Sequence, residues 1–148
     1  MTVSLLSRHE FIDLIPHAGD MCLLDGVVAF DASALHAFST SHVLPTHPLR
    51  GPHGLHALHL AEYGAQAMAV HGALLAKERG DTEPRPGMLV SLRGVKLAVE
   101  RIDTLEGRLD VHAECLMADT SGAQYSFRIA HDGVEIASGR AAVIHPAG

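Results

Sequence analysis

The order of apolar and polar positions divides the chain into a short helix, two strands, one long helix and four further strands. Residues 8–15 place Phe11, Ile12, Leu14 and Ile15 along an amphipathic helix that Pro16 ends, because the residue before a proline is driven out of the helical region. Residues 21–30 are an apolar run bounded by Gly19-Asp20 and Asp31, a strand signature, and 35–43 alternate imperfectly as its hairpin partner. Pro45, Pro48, Gly51, Pro52 and Gly54 then mark a loop. Residues 55–79, rich in Ala, Leu and Met and free of proline, predict a helix of about six or seven turns. Gly80 closes it.

The second half changes period. Residues 88–99 predict a strand kinked or bulged near Gly94. Residues 107–117 alternate cleanly, with Leu109, Val111, Ala113 and Cys115 on one face and Arg108, Asp110, His112 and Glu114 on the other. Residues 125–130 repeat the alternation, Asp132-Gly133 is a hairpin turn, and 134–144 return as the last strand, loosened at Gly139. One sheet with a single helix against it is an α+β layout, and no linker or repeat breaks residues 1–148 into more than one domain.

A helix lying on a sheet surface shows a polar outer face. The long helix barely does, for its polar side chains up to residue 76 are only His56, His59, Glu62, Tyr63, Gln66 and His71. Glu62 and Gln66 near its middle exclude a membrane span. The pattern therefore predicts a helix wrapped by its own sheet and largely buried. His59, Glu62 and Gln66 are related by i+3 and i+4 steps and share one face. A carboxylate on a buried helix is costly unless paired or functional. Burial raises its pKa, which suits a general acid working near neutral pH. A bond from Glu62 to a neighbouring histidine or a loop amide is the other reading of the same residue.

Composition narrows the chemistry. The 148 residues are 47% hydrophobic, enough for one core. A net charge of -6 argues against a nucleic-acid backbone as partner. Cys22 and Cys115 lack the number and spacing of a disulfide scaffold or metal site, and the opening residues lack the layout of a secretory signal. A cytoplasmic location is expected. Trp is absent, so Leu, Val, Ala and Met must build the core. Twelve histidines are many for this length, and His53, His56 and His59 stand at even spacing. No recognised metal motif contains them, and local hydrogen bonding is their expected use. Residues 49–54 lack the spacing and lysine of a phosphate loop. No serine or cysteine sits at a strand-to-helix elbow. Neither metal nor cofactor is expected.

Four motifs in order carry a resemblance. Leu14-Ile-Pro-His-Ala-Gly-Asp-Met-Cys-Leu-Leu-Asp25 resembles the opening Pro-His element of the hotdog-fold 3-hydroxyacyl-ACP dehydratases, and Glu62-Tyr-Gly-Ala-Gln66 resembles their central-helix Glu-x-x-x-Gln element. Gly87-Met-Leu89 and the Ala-Ser-Gly-Arg run ending at Arg140 are similar to segments of the dehydratase-like proteins of aryl polyene and xanthomonadin pigment clusters. The resemblance implies an antiparallel sheet wrapped around one long central helix, and a homodimer, or a heterodimer with a related dehydratase, with sites at the interface. It implies dehydration of a 3-hydroxyacyl chain on acyl carrier protein to the trans-2-enoyl thioester.

Carried over residue by residue, Glu62 matches the family acid and Gln66 the glutamine that follows. Ala57 stands where a backbone amide holds the thioester carbonyl, with Leu58 and His59 beside it at the substrate. Helix N-termini favour developing negative charge. Two histidines are candidates for the base. His17 keeps the Pro-His element, its other reading being a cap between the short helix and the first strand. His47 lies nearest to the family's His-Phe-Pro-Gly loop, which is missing here, its other reading being a solvated loop histidine. A catalytically weak acyl-binding subunit and a hotdog thioesterase are the alternatives on this fold.

Overall fold

The computed structural model describes residues 6–14, 21–80 and 88–145. Strand β1 (Leu6–Ser7) leads into helix α1 (Arg8–Phe11), whose entry is fixed by the Glu10 carboxylate accepting from the Ser7 amide and hydroxyl. A single 3-10 turn, Ile12–Leu14, continues it. Strands β2 (Gly26–Phe30) and β3 (Ala34–Ser39) form the first hairpin. Helix α2 (Leu60–Glu78) follows, and then β4 (Met88–Leu97), β5 (Leu109–Ala118), β6 (Gly122–His131) and β7 (Val134–Ile144). All pairings are antiparallel, in one seven-stranded sheet ordered β1-β2-β3-β5-β6-β7-β4.

The sheet wraps around α2 as expected. Val70, Met68, Ala67 and Leu74 on the helix meet Leu109, Val111, Phe127 and Ile129 of β5 and β6 in one core. Burying such side chains contributes about 1.5–3 kcal/mol each. Gly64 allows the close approach, since a Cβ there would stand 2.7 Å from the Phe127 ring. The helix packs chiefly over β3, β5, β6 and β7.

Two boundaries that bear on the site differ from the pattern. The helix begins at Leu60, not at 55, and runs for 19 residues. Residues ahead of it are held extended by the segment after β4: the Leu55 amide donates to Asp103, the Leu55 carbonyl accepts from Ile102, and His56 bridges Arg101. A 3-10 turn, Ala57–His59, intervenes. The strand expected from 21 begins only at Gly26, because the Leu23 peptide bonds to side chains rather than to a neighbouring strand. The break near Gly94 is present as a register shift between Arg93 and Lys96, with Gly94 at φ +60°. Both cysteines are free thiols, Cys22 buried and Cys115 half-buried.

Candidate functional site

Glu62 lies in the first turn of α2 and is half-buried. One turn on, Gln66 is fully buried, and its three bonds set the geometry. Its carbonyl oxygen accepts from the Leu23 amide at 2.8 Å. Its amide nitrogen donates to the Met21 carbonyl at 2.7 Å and to Glu62 Oε1 at 3.2 Å. Gln66 thus joins the helix to the strand-like segment before β2 and aims one hydrogen bond at the carboxylate. Helical i, i+4 spacing makes the last contact possible.

The Leu23 peptide is shared with a second, closed arrangement. Its carbonyl accepts from Ser39 and Ser41 hydroxyls. Ser41 Oγ lies 2.7 Å from the Tyr63 hydroxyl, and Tyr63 lies 3.0 Å from His47 Nε2. His47 Nδ1 accepts from the Leu49 amide at 3.1 Å. An imidazole that accepts at Nδ1 and is neutral carries its proton on Nε2, so the donors run in one direction: His47 to Tyr63, Tyr63 to Ser41, Ser41 to Leu23. Burial pushes the His47 pKa down, aided by the nearby His59, His42 and Arg50 charges. It also raises the Tyr63 hydroxyl to about 12. His47 is therefore a buried neutral donor at 5% exposure, not a solvated loop histidine.

The other expected residues fall as follows. His17 and Gly87 lie outside the described residues. The Ala57 amide, expected to be a free donor at the helix start, donates instead to the Glu100 carbonyl at 2.8 Å. The extended pairing that delays the helix also occupies this amide. Leu58 is 57% exposed beside it. His59 is half-buried at the N-cap of α2 and makes no side-chain capping bond. His56 Nδ1 accepts from the Leu58 amide, and His53 is exposed. Among the described residues no His/Cys/Asp/Glu group is arranged to hold a metal ion.

Sequence reasoning assigned no role to Tyr63 or Ser41, although Tyr63 sits inside the Glu-x-x-x-Gln element and Ser39-Thr40-Ser41 is a polar run at a strand end. A second buried histidine repeats the theme farther along α2: His71 lies 2.7 Å from the Tyr125 hydroxyl and 2.8 Å from the Asp31 carbonyl, and burial lowers its pKa. A broad concavity lies elsewhere, on the outer face of the sheet. There His36 and His112 stack at 4.2 Å between centroids. Burial and the neighbouring His36 push His112 down to about 4. No residue of that groove belongs to the Glu62 site.

The edge strand completes the description. On β4, Met88, Leu89, Val90, Leu92 and Leu97 are all exposed, Met88 by 56% and Val90 by 49%. An exposed apolar edge strand is a surface ready to pair with another chain. No helix among the described residues is long and apolar enough to cross a membrane.

Comparison with known proteins now adds a family. The model of the ApeP-like family, described as ApeP dehydratase, matches residues 9–148. A chain of the dehydratase heterocomplex ApeI:P from Xenorhabdus doucetiae is 26% identical, with a TM-score of 0.81 over 90% of this chain and 89% of that one. A hypothetical thioesterase with coenzyme A from Streptococcus pneumoniae TIGR4 is 10% identical, with a TM-score of 0.62 over 95% of this chain and 98% of that one. A thioesterase variant from Staphylococcus aureus subsp. aureus Mu50 is 17% identical, at 0.60 over 81% and 92%. The two thioesterases share the hotdog fold with this chain and carry no more than that. A search of the curated proteins gives no match.

Proposed function

The chain belongs to the ApeP-like dehydratase family, and on that premise we propose that it dehydrates a 3-hydroxyacyl thioester carried by acyl carrier protein, in the assembly of a fatty-acid-like or aryl polyene chain. The proton next to the thioester carbonyl goes to a base, the C3–O bond breaks, and the departing hydroxyl takes a proton from Glu62. The products are the trans-2-enoyl thioester and water. The observation that carries this reading is the Leu23–Gln66–Glu62 chain, which holds a half-buried carboxylate in a fixed direction at the head of the central helix. Preorganisation of an acid is what general catalysis requires.

His47 has both ring nitrogens engaged, so its role in this reading is to anchor the loop against Tyr63. The base is then His17. Leu58 and His59 border the acyl chain, and another backbone donor than Ala57 takes the thioester carbonyl. The uncovered apolar strand β4 supports a dimer with a second hotdog chain joined edge to edge.

Incubation with a 3-hydroxyacyl-ACP, alone and with a related dehydratase, tests the reading by the appearance of enoyl product. Absence of product in both conditions overturns it. Product only in the mixture favours a supporting acyl-binding subunit, a reading for which the bare β4 edge is the specific observation. Release of free thiol without loss of the hydroxyl would mark a thioesterase instead.

A further inference from the structure

Resting on the reading that a 3-hydroxyacyl thioester is dehydrated at Glu62, we propose that the His59 imidazole donates a hydrogen bond to the thioester carbonyl. His59 is thereby a further catalytic residue, a side-chain donor at a place where the backbone donors are all occupied.

The amides at the head of α2 end within the chain. The Ala57 amide donates to the Glu100 carbonyl at 2.8 Å, and the Leu58 amide to His56 Nδ1 at 3.0 Å. The His59 amide donates to the His56 carbonyl at 3.1 Å, and the Leu60 amide to the Ala57 carbonyl. A backbone donor for the substrate therefore comes from outside this stretch. A donor on the stretch itself has to be a side chain.

Ala57, Leu58 and Leu60 carry no polar side chain, and His56 is exposed ahead of the turn. His59 remains. It is half-buried, and among the described residues its ring meets no hydrogen-bond or ion-pair partner. His47 and His71, by contrast, have both ring nitrogens engaged. Sheltered polar groups in a folded protein are normally bonded, so one left over calls for a use.

Its position supplies that use. With φ -68° and ψ -9°, His59 continues the helical path into α2 and stands three residues before Glu62. Side chains at that spacing are neighbours, with about 5–6 Å between Cβ atoms. The same polar stripe runs on to Gln66, which is fully buried and bonded to Glu62. Gln66 thus aims the acid from one side, and His59 flanks it from the other. In the substrate the carbonyl at C1 and the hydroxyl at C3 lie close together, which suits two groups one helical turn apart.

Removing the proton next to the carbonyl moves negative charge onto the carbonyl oxygen, and a donor already in place there lowers the barrier. A neutral imidazole carries one N–H and one lone pair. It can hold the oxygen without gaining or losing a proton, and no covalent bond to it forms or breaks. The positive end of the helix acts in the same direction.

The test compares wild type with His59→Leu and with His59→Gln, which keeps an N–H donor at similar reach. Because the His59 ring makes no hydrogen bond in the fold, both variants should melt within about 2 °C of wild type. With a 3-hydroxyacyl-ACP, His59→Leu is expected to lower kcat by about 10²–10³-fold, with KM within about threefold. His59→Gln should recover about tenfold or more of that loss.

A second readout needs no turnover. A saturated acyl-pantetheine thioester, isotope-labelled at its carbonyl, has no hydroxyl to lose. Its infrared carbonyl band should shift to lower frequency on wild type, return on His59→Leu and shift again on His59→Gln. Turnover of His59→Leu within about threefold of wild type overturns the proposal. So does a carbonyl band that is the same on wild type and His59→Leu, a failure of His59→Gln to recover either readout, or a probe that does not bind. If wild type forms no enoyl product, alone or with a related dehydratase, the dehydration reading fails instead. The carbonyl band then still decides whether His59 is the donor.

Discussion

The two sides of the Leu23 peptide make a useful contrast. On its carbonyl side, Ser39, Ser41, Tyr63 and His47 form a closed set in which each polar atom has a protein partner. On its amide side, Gln66 is closed in the same way but hands its last hydrogen bond to Glu62, which is only half-buried. A fully satisfied buried network rigidifies a fold, whereas chemistry needs a group held firmly yet reachable. The same peptide unit serves both ends, so the lining of the loop and the aim of the acid are set together.

Four measurements break or sharpen that contrast. The largest effect is expected from Glu62→Gln, which keeps the shape and an acceptor for Gln66. Enoyl-forming turnover falls by about 10²–10⁴-fold, with a melting temperature within about 2 °C of wild type. Gln66→Leu strands the Leu23 amide and the Met21 carbonyl inside the protein. It costs about 1–3 kcal/mol of stability and, through the misaimed carboxylate, about 10- to 100-fold in turnover.

Tyr63→Phe keeps the ring but leaves the His47 N–H without its acceptor and removes one of the Ser41 hydroxyl's bonds. Denaturant titration should show a loss of about 1–3 kcal/mol, with turnover per folded molecule little changed. A loss of turnover matching that of Glu62→Gln would place His47 and Tyr63 in the chemistry and erase the contrast. The smallest effect is a pH dependence of stability. His47 and His71 have folded pKa values below their ordinary 6.5. Between the folded value and 6.5 the unfolded chain binds more protons, so stability rises with pH through that window. It is complete above about 6.5 and falls on acidification, by at most about 1.4 kcal/mol per pH unit per group. Denaturation curves between pH 8 and 5 check the sign, and His71→Phe should flatten part of the slope.

Much of this was legible in the residues. The strict alternation of β5 named its buried face correctly at Leu109, Val111 and Ala113. The poverty of polar residues on α2 announced a wrapped helix, and the spacing of Glu62 and Gln66 announced their contact. Elsewhere the pattern was silent because the cause is not local. Residues 55–59 have helical composition but pair with 100–103, a contact between segments far apart in the chain. That same contact takes up the Ala57 amide. The 44–54 loop reads as solvent-exposed from its prolines and glycines, yet His47 is drawn inward by Tyr63 and Ser41. Strand β4 was recognisable as a strand, but its apolar residues gave no sign that the chain would leave them uncovered.

The two tyrosine–histidine contacts have an optical consequence. The chain has no tryptophan, and its two tyrosines are Tyr63 and Tyr125, each buried and in hydrogen-bond contact with an imidazole. Near-ultraviolet circular dichroism, which reports aromatic rings in fixed asymmetric surroundings, is therefore dominated by these two rings with no background from indole. Tyr63 lies at the head of α2 beside Glu62, and Tyr125 lies on β6 against His71. Replacing one by phenylalanine turns the other into a native, unlabelled gauge of its own half of the helix. The head of α2 can then be followed apart from the rest of the fold as substrate or partner is added.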